Sequence, residues 1–250
     1  MDSGTWRLFV VLWFAGIVGF LAGLPYALSA APVSVVGTSG TVVVVTVQAG
    51  VVLAVAVLIG VALGPKVGLG APVVSALLTT ERPASAVGRL RNSFATGVTV
   101  GAGIFLVDSL FAELIGDGAT RVFPPLWQRA FATLYGGLFE ELLLRFGFLT
   151  LLVWASWKIV RTPEGDPRPE AVGACIVLAA IAFGFAHLPL MAEVTELTPL
   201  VVSRTVVLNG VTGIVFGWLY WQQGIEAAMV AHFGADVAVH VVLVTVLASV

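Results

Sequence analysis

Long apolar runs, punctuated by short clusters of proline, glycine and charge, set the layout of this chain. A helix needs about 20 consecutive apolar residues to cross the hydrocarbon core of a bilayer. The first such run extends from Leu8 to Leu28, longer than the apolar region of a signal peptide. A second covers Thr41 to Leu63 and a third Phe94 to Ile115. Between them lie GPKVGLGAP, then Arg82, Arg89 and Arg91, a basic Pro/Gly-rich stretch that reads as an interfacial segment. The run from Leu126 to Val160 is one extended helix or two helices broken near Gly147. RTPEGDPRPE ends it, because its prolines and glycine cannot continue a helix. Further spans are predicted at Ala171–Leu188, Thr198–Trp221 and Ile225–Val250. QQG forms a tight hairpin between the last two, with Gly224 suited to follow a helix end. The pattern predicts an all-α polytopic membrane protein of seven to eight transmembrane helices, one integral membrane domain over residues 1–250.

Composition agrees. Of 250 residues, 59% are hydrophobic and 10% charged, against roughly 25% charged in soluble domains. The formal net charge of −2 leaves no basic footprint for nucleic acid. The single cysteine, Cys175, excludes an intrachain disulfide. With seven spans, Arg7, Lys66, Arg82, Arg89, Arg91, Lys158, Arg161 and Arg168 share one side, while Arg121 and Arg129 flank the other. The positive-inside rule then predicts a cytoplasmic N-terminus in a cell membrane. The tryptophans near span ends fit an aromatic belt.

Against this background the ionisable residues inside spans stand out. A charge at mid-bilayer costs on the order of 2.5–3.5 kcal/mol on insertion scales. GGLFEELLLRFGF, residues 136–148, carries three such groups. Glu141 and Arg145 are four residues apart, acid first, the better order for a helical ion pair. Glu140 lies roughly 140° round an α-helix from Arg145, which leaves its carboxyl unpaired and available as a general base. The histidines all fall in the last third of the chain. His187 ends AIAFGFAHLP, with Phe183 one turn before it on the same face. His232, Asp236 and His240 follow one another at helical spacing and form one polar stripe. Gln48, Asp108, Arg204 and Asn209 read mainly as interhelical hydrogen-bonding residues, with Asn209 a candidate cavity residue.

A carboxylate to deprotonate water, imidazoles to position that water or a metal, and a polar group at the oxyanion suit peptide-bond hydrolysis. HExxH and GxSxG are absent from the sequence, so a one-helix zinc site and a serine nucleophile elbow are not expected. Together, Glu140-Glu141-x-x-x-Arg145, Phe183-x-x-x-His187 and His232-x-x-x-Asp236 resemble the three motifs of the CPBP family, which includes the type II CAAX prenyl endopeptidases. The resemblance covers about Leu126 to Val239, a motif-bearing core within residues 126–240.

The resemblance implies an intramembrane endopeptidase acting on a CAAX-type or other membrane-associated peptide or lipidated protein. It implies Glu140 as activator of water, and Glu141 and Arg145 as supports. His187 and His232 would position water or a divalent metal, and Asp236 would serve the oxyanion or complete a metal shell. The family's commoner residue at the last position is asparagine. An ionised aspartate cannot donate to an oxyanion. Zinc held by His187, His232 and Asp236 is the implied cofactor, since imidazole and carboxylate suit it. Two other readings compete: a proton-coupled transporter and a non-catalytic membrane regulator of the same family. The chain shows no repeated halves of the kind many transporters have. In the seven-span layout His187 and His232 start from opposite faces. They meet only if the helix bearing His187 stops at membrane depth or projects far into the cytosol at its start, and the expected cavity opens to the cytoplasmic side.

Overall fold

The structure, a computed structural model, describes residues 2–30, 39–79, 86–115 and 124–247. Arg82, Arg121 and Val250 lie outside the described residues. Inside a bilayer each backbone N–H and C=O needs an internal partner, so apolar runs of this length fold as helices. The helices are α1 (Ser3–Ala30), α2 (Ser39–Leu63), α3 (Pro72–Leu78), α4 (Ala86–Ile115), α5 (Leu126–Leu134), α6 (Thr150–Ile159), α7 (Pro169–Ala186), α8 (Leu188–Ala192), α9 (Pro199–Gln223), α10 (Ile225–Asp236) and α11 (Val244–Leu247). No strand occurs among the described residues, only a bridge between Arg161 and Pro167 in the turn before α7. The protein is an all-α integral membrane protein. Six helices are long and apolar enough to cross a membrane among the described residues, built on α1, α2, α4, α7 with α8, α9, and α10 with its extension.

The Leu126–Ile159 rod stands apart from those six. Gly147 does not break it. Instead α5 continues into π-helical turns over Tyr135–Glu140 and Leu142–Leu149 before α6. Thr150 N–H reaches back five residues to the Arg145 carbonyl, the widened spacing of a π turn. Gly147 is needed for close packing, since a Cβ there would lie 2.6 Å from the Ala56 Cβ of α2. A third π segment, Val237–Leu243, extends α10.

The bundle is closed by small residues and a few polar ties. A Cβ on Gly101 of α4 would sit 2.6 Å from the Ala235 carbonyl oxygen, and one on Gly234 would sit 2.7 Å from that of Phe94. Only glycine at such points allows α4 and α10 to approach this closely. Trp13 Nε1 donates to the Gly50 carbonyl at 2.9 Å, joining α1 to α2. Arg204 and Asp108 pair at 2.6 Å and clamp α9 to α4. Gly224, at φ 96°, makes the expected hairpin between α9 and α10. α1 buries Leu12 and Phe20 in the bundle, as an integral helix does. Outward-facing Leu106, Leu110 and Leu114 of α4 and the exposed valines of α2 form lipid-facing surface.

Gln48 and Asn209 differ from the sequence expectation. Gln48 is exposed on α2, and Asn209 Nδ2 donates to Thr205 in its own helix at 2.9 Å rather than to a neighbour. A polar side chain on a helix can satisfy itself on the carbonyl one turn back, and Asn209 does so.

Candidate active site

Glu140 and Glu141 are adjacent in the rod and approach His232 from its two sides. Glu141 Oε1 lies 2.7 Å from His232 Nδ1 and also accepts from Arg145 Nη1 at 2.9 Å. Glu141 and Arg145 are essentially sealed from solvent, with 0% and 2% exposure. Glu140 faces a cavity instead. Its Oε1 is 3.7 Å from His187 Nε2 and its Oε2 is 3.8 Å from His232 Nε2. Asp236, one turn beyond His232, places Oδ2 3.8 Å from the same Nε2.

Aromatic rings fix these side chains. Phe183 is buried, with the Arg145 guanidinium carbon 4.5 Å above its ring centre. The His187 ring meets Phe183 edge-on at 4.7 Å, and the His232 ring does so at 6.0 Å. Phe216 of α9 stacks on His232 at 4.7 Å. Phe183 thereby packs against the buried cation and both imidazoles, a reason for an aromatic residue one turn before His187. The opposite-face difficulty is resolved locally. α7 stops at Ala186, and the His187 ring folds back so that Nδ1 lies 2.8 Å from the Phe183 carbonyl.

That bond settles the tautomer. A carbonyl only accepts, so His187 Nδ1 carries the proton, and in the neutral ring Nε2 presents a lone pair. A carboxylate accepting from His232 Nδ1 has the same effect on that ring. Glu140 is therefore surrounded by acceptors at 3.7–3.8 Å, a spacing that suits a small donor between them.

A cavity of about 490 Å³ adjoins the cluster, within the usual size range of small-molecule sites. Glu140, His187, His232, Asp236, Asn209 and His240 contribute its polar wall, and the remainder is chiefly apolar. Its reach is along the C-terminal half of α1, the start of α2 at Val45, Ile104 of α4, Leu190 of α8 and His240. The expected polar cavity is present within the bundle.

The structure brings together Glu140, Glu141, Arg145, Phe183, His187, His232 and Asp236, and sets Asn209 in the same cavity wall. His240 belongs to the far end, its ring 6.2 Å from that of Tyr26. Zinc at His187, His232 and Asp236 stays an expectation drawn from the resemblance. Among the described residues no three or more His, Cys, Asp or Glu side chains are grouped to hold a metal ion.

Two residues escaped the sequence reading. Phe216 carried no signal, being one aromatic in an apolar helix. Gly136 did carry one: each glycine in a helix interior costs about 1 kcal/mol, so GG ahead of FEE asks for a reason. A Cβ on Gly136 would collide with Asp236 Oδ2 and stand 2.8 Å from His232 Nε2. Its bareness makes room for the cluster.

Apolar helices gathering an acid–imidazole centre beside an internal cavity define a polytopic membrane protein with a site inside its bundle. Residues 122–238, just under half of the chain, match the family described as Type II CAAX prenyl endopeptidase Rce1-like, a match that supports the resemblance to the CPBP family of intramembrane proteases. No curated protein and no solved structure matches the chain. The matched segment contains all three motifs.

Proposed function

We propose that the protein is an intramembrane endopeptidase in which Glu140 activates water to hydrolyse a peptide bond of a CAAX-type or other membrane-associated substrate. The observation that carries this reading is the convergence of Glu140 with two imidazole Nε2 atoms at 3.7 and 3.8 Å on a cavity wall. A water in that space donates one proton to Glu140 and the other to an imidazole Nε2, so its oxygen lone pair faces the substrate. Glu140 takes the proton as the oxygen attacks the carbonyl carbon, then delivers it to the leaving amine as the C–N bond breaks. General base assistance of this kind contributes about 10²–10⁴-fold.

Glu141 acts through His232, holding Nδ1–H and directing Nε2 into the cavity, while Arg145 neutralises Glu141. Asn209 has a second amide proton and a carbonyl for the substrate backbone, a role that an ionised Asp236 cannot share as donor. The chemistry needs no metal, and none of its steps is routed through one. A relay of protons by the same residues is the alternative chemistry. The family match favours the protease.

The test compares membrane peptides from cells producing the wild-type chain and its Glu140→Gln variant. The reading expects fragments present only with the wild type, with intact precursors accumulating in the variant. Identical peptide sets from the two would overturn it.

A further inference from the structure

α2 carries a polar side chain that the bundle leaves unanswered. Its inner face is closed: Leu53 and Val57 are fully buried, and a Cβ on Gly60 would collide with the Phe146 ring of the rod. Trp13 of α1 reaches the Gly50 carbonyl on the same side. The opposite face meets no other helix. Val44, Val51, Val55 and Leu58 are between 38% and 60% exposed, and Gln48 is exposed among them. Steps of four, three, four and three residues from Val44 to Leu58 hold these five side chains on one stripe of the helix.

Gln48 lies three residues from Val51, the midpoint of the 25-residue helix, and so within about 5 Å of mid-helix at 1.5 Å per residue. In a single copy its carboxamide faces hydrocarbon, which offers no hydrogen bond. Other polar groups in the spans are satisfied. Asn209 donates to the Thr205 carbonyl, Thr46 donates to that of Val42, and Arg204 pairs with Asp108. Among the described residues Gln48 has no such partner.

Copies of one chain insert in a membrane with the same orientation. Two α2 helices meeting by their outer faces around a two-fold axis along the membrane normal are therefore parallel, with equal residues at equal depth. Gln48 of one copy then stands opposite Gln48 of the other. A carboxamide has both donors and an acceptor, so it is its own complement. A different chain would need a polar group at that one level, whereas a second copy always has it. We infer that the outer face of α2 is a self-association surface, on which two copies of the chain pair with their Gln48 amides hydrogen-bonded across the axis. Val44, Val51, Val55 and Leu58 fill the seam as the a and d residues of a short left-handed supercoil, and its single polar position fixes the register. The inference stands apart from the protease reading, since Gln48 is not in the cavity wall.

The test uses the full chain in membranes, with Cys175→Ala removing the one native thiol. Val51→Cys or Val55→Cys places a cysteine in the seam, and Leu110→Cys places one on the lipid-facing side of α4 as a control. Mild oxidation is expected to link two copies through position 51 or 55 and not through 110. Equal linkage at all three positions, or linkage at none, would overturn the inference. In a second arm, donor- and acceptor-labelled copies of the purified protein are diluted with lipid in liposomes and their energy transfer is followed. Gln48→Leu is expected to weaken association about tenfold, in line with the loss of interhelical amide bonds. Gln48→Asn keeps an amide and is expected to retain most of the association. Association of Gln48→Leu as tight as wild type would show the amides to be idle and overturn the pairing. Purified protein that stays monomeric at every lipid ratio, while position 51 in cell membranes links to a chain of another mass, would assign the face to a different partner and overturn it as well.

Discussion

Two adjacent glutamates have opposite tasks, and their surroundings decide which is which. Glu141 is sealed beneath His232 and Arg145, while Glu140 looks into the cavity. Deleting one partner of a buried ion pair leaves the other charge stranded, at about 3–5 kcal/mol. Arg145→Met is therefore expected to lower the melting temperature markedly in detergent. Adding Glu141→Gln to it should recover much of that loss without restoring cleavage. Thermal unfolding of the single and double variants checks this, and an unchanged melting temperature for Arg145→Met would contradict it. Gly136→Ala is expected to lower cleavage at least tenfold, because the added methyl displaces His232 and Asp236. Its measurement is kcat/KM alongside a circular dichroism spectrum that should stay helical. The ionisable residues of this cluster were legible in the sequence because charge is so rare in apolar spans. Phe216 was not, because a stacked aromatic and a lipid-facing one look alike in a string of letters.

Among the elements, the ends of most spans were readable to within a turn or so because span length is dictated by the bilayer, but α4 starts at Ala86 rather than the expected Phe94. Their internal geometry was not. A 3.6-residue repeat placed Glu140 away from Arg145, and that separation is what the structure shows, yet the rod carries π turns on both sides of Glu141. Periodicity of hydrophobic side chains cannot reveal them. The meeting of His187 with His232 was equally hidden, since the span bearing His187 runs on to Ala192 and so sets that histidine inside it rather than at its end. The α4–α10 contact holds the third motif in place through Gly101 and Gly234. Gly101→Leu should force α4 away from Ala235, one residue before Asp236. The expected outcome is both a lower melting temperature and reduced cleavage. Full stability and activity in that variant would show the contact to be dispensable.

For the whole molecule, hydropathy alone specified an integral membrane protein, and the motif order placed the site in its C-terminal half. A zinc set at His187, His232 and Asp236 suits the residue types, whereas the hydrolysis proposed above uses only Glu140 and the two imidazoles. On that proposal cleavage by purified protein is expected to withstand EDTA. Loss of activity that added zinc restores would place a metal in the reaction after all.

The most direct test of the account is the rate at which purified full-length protein and its Glu140→Gln variant cleave one membrane peptide substrate in the same detergent. The variant is predicted to lose at least about 10²-fold in kcat, in line with removal of a general base, while its melting temperature stays at the wild-type value. Cleavage at an undiminished rate by the folded variant would contradict the central claim that Glu140 activates the attacking water.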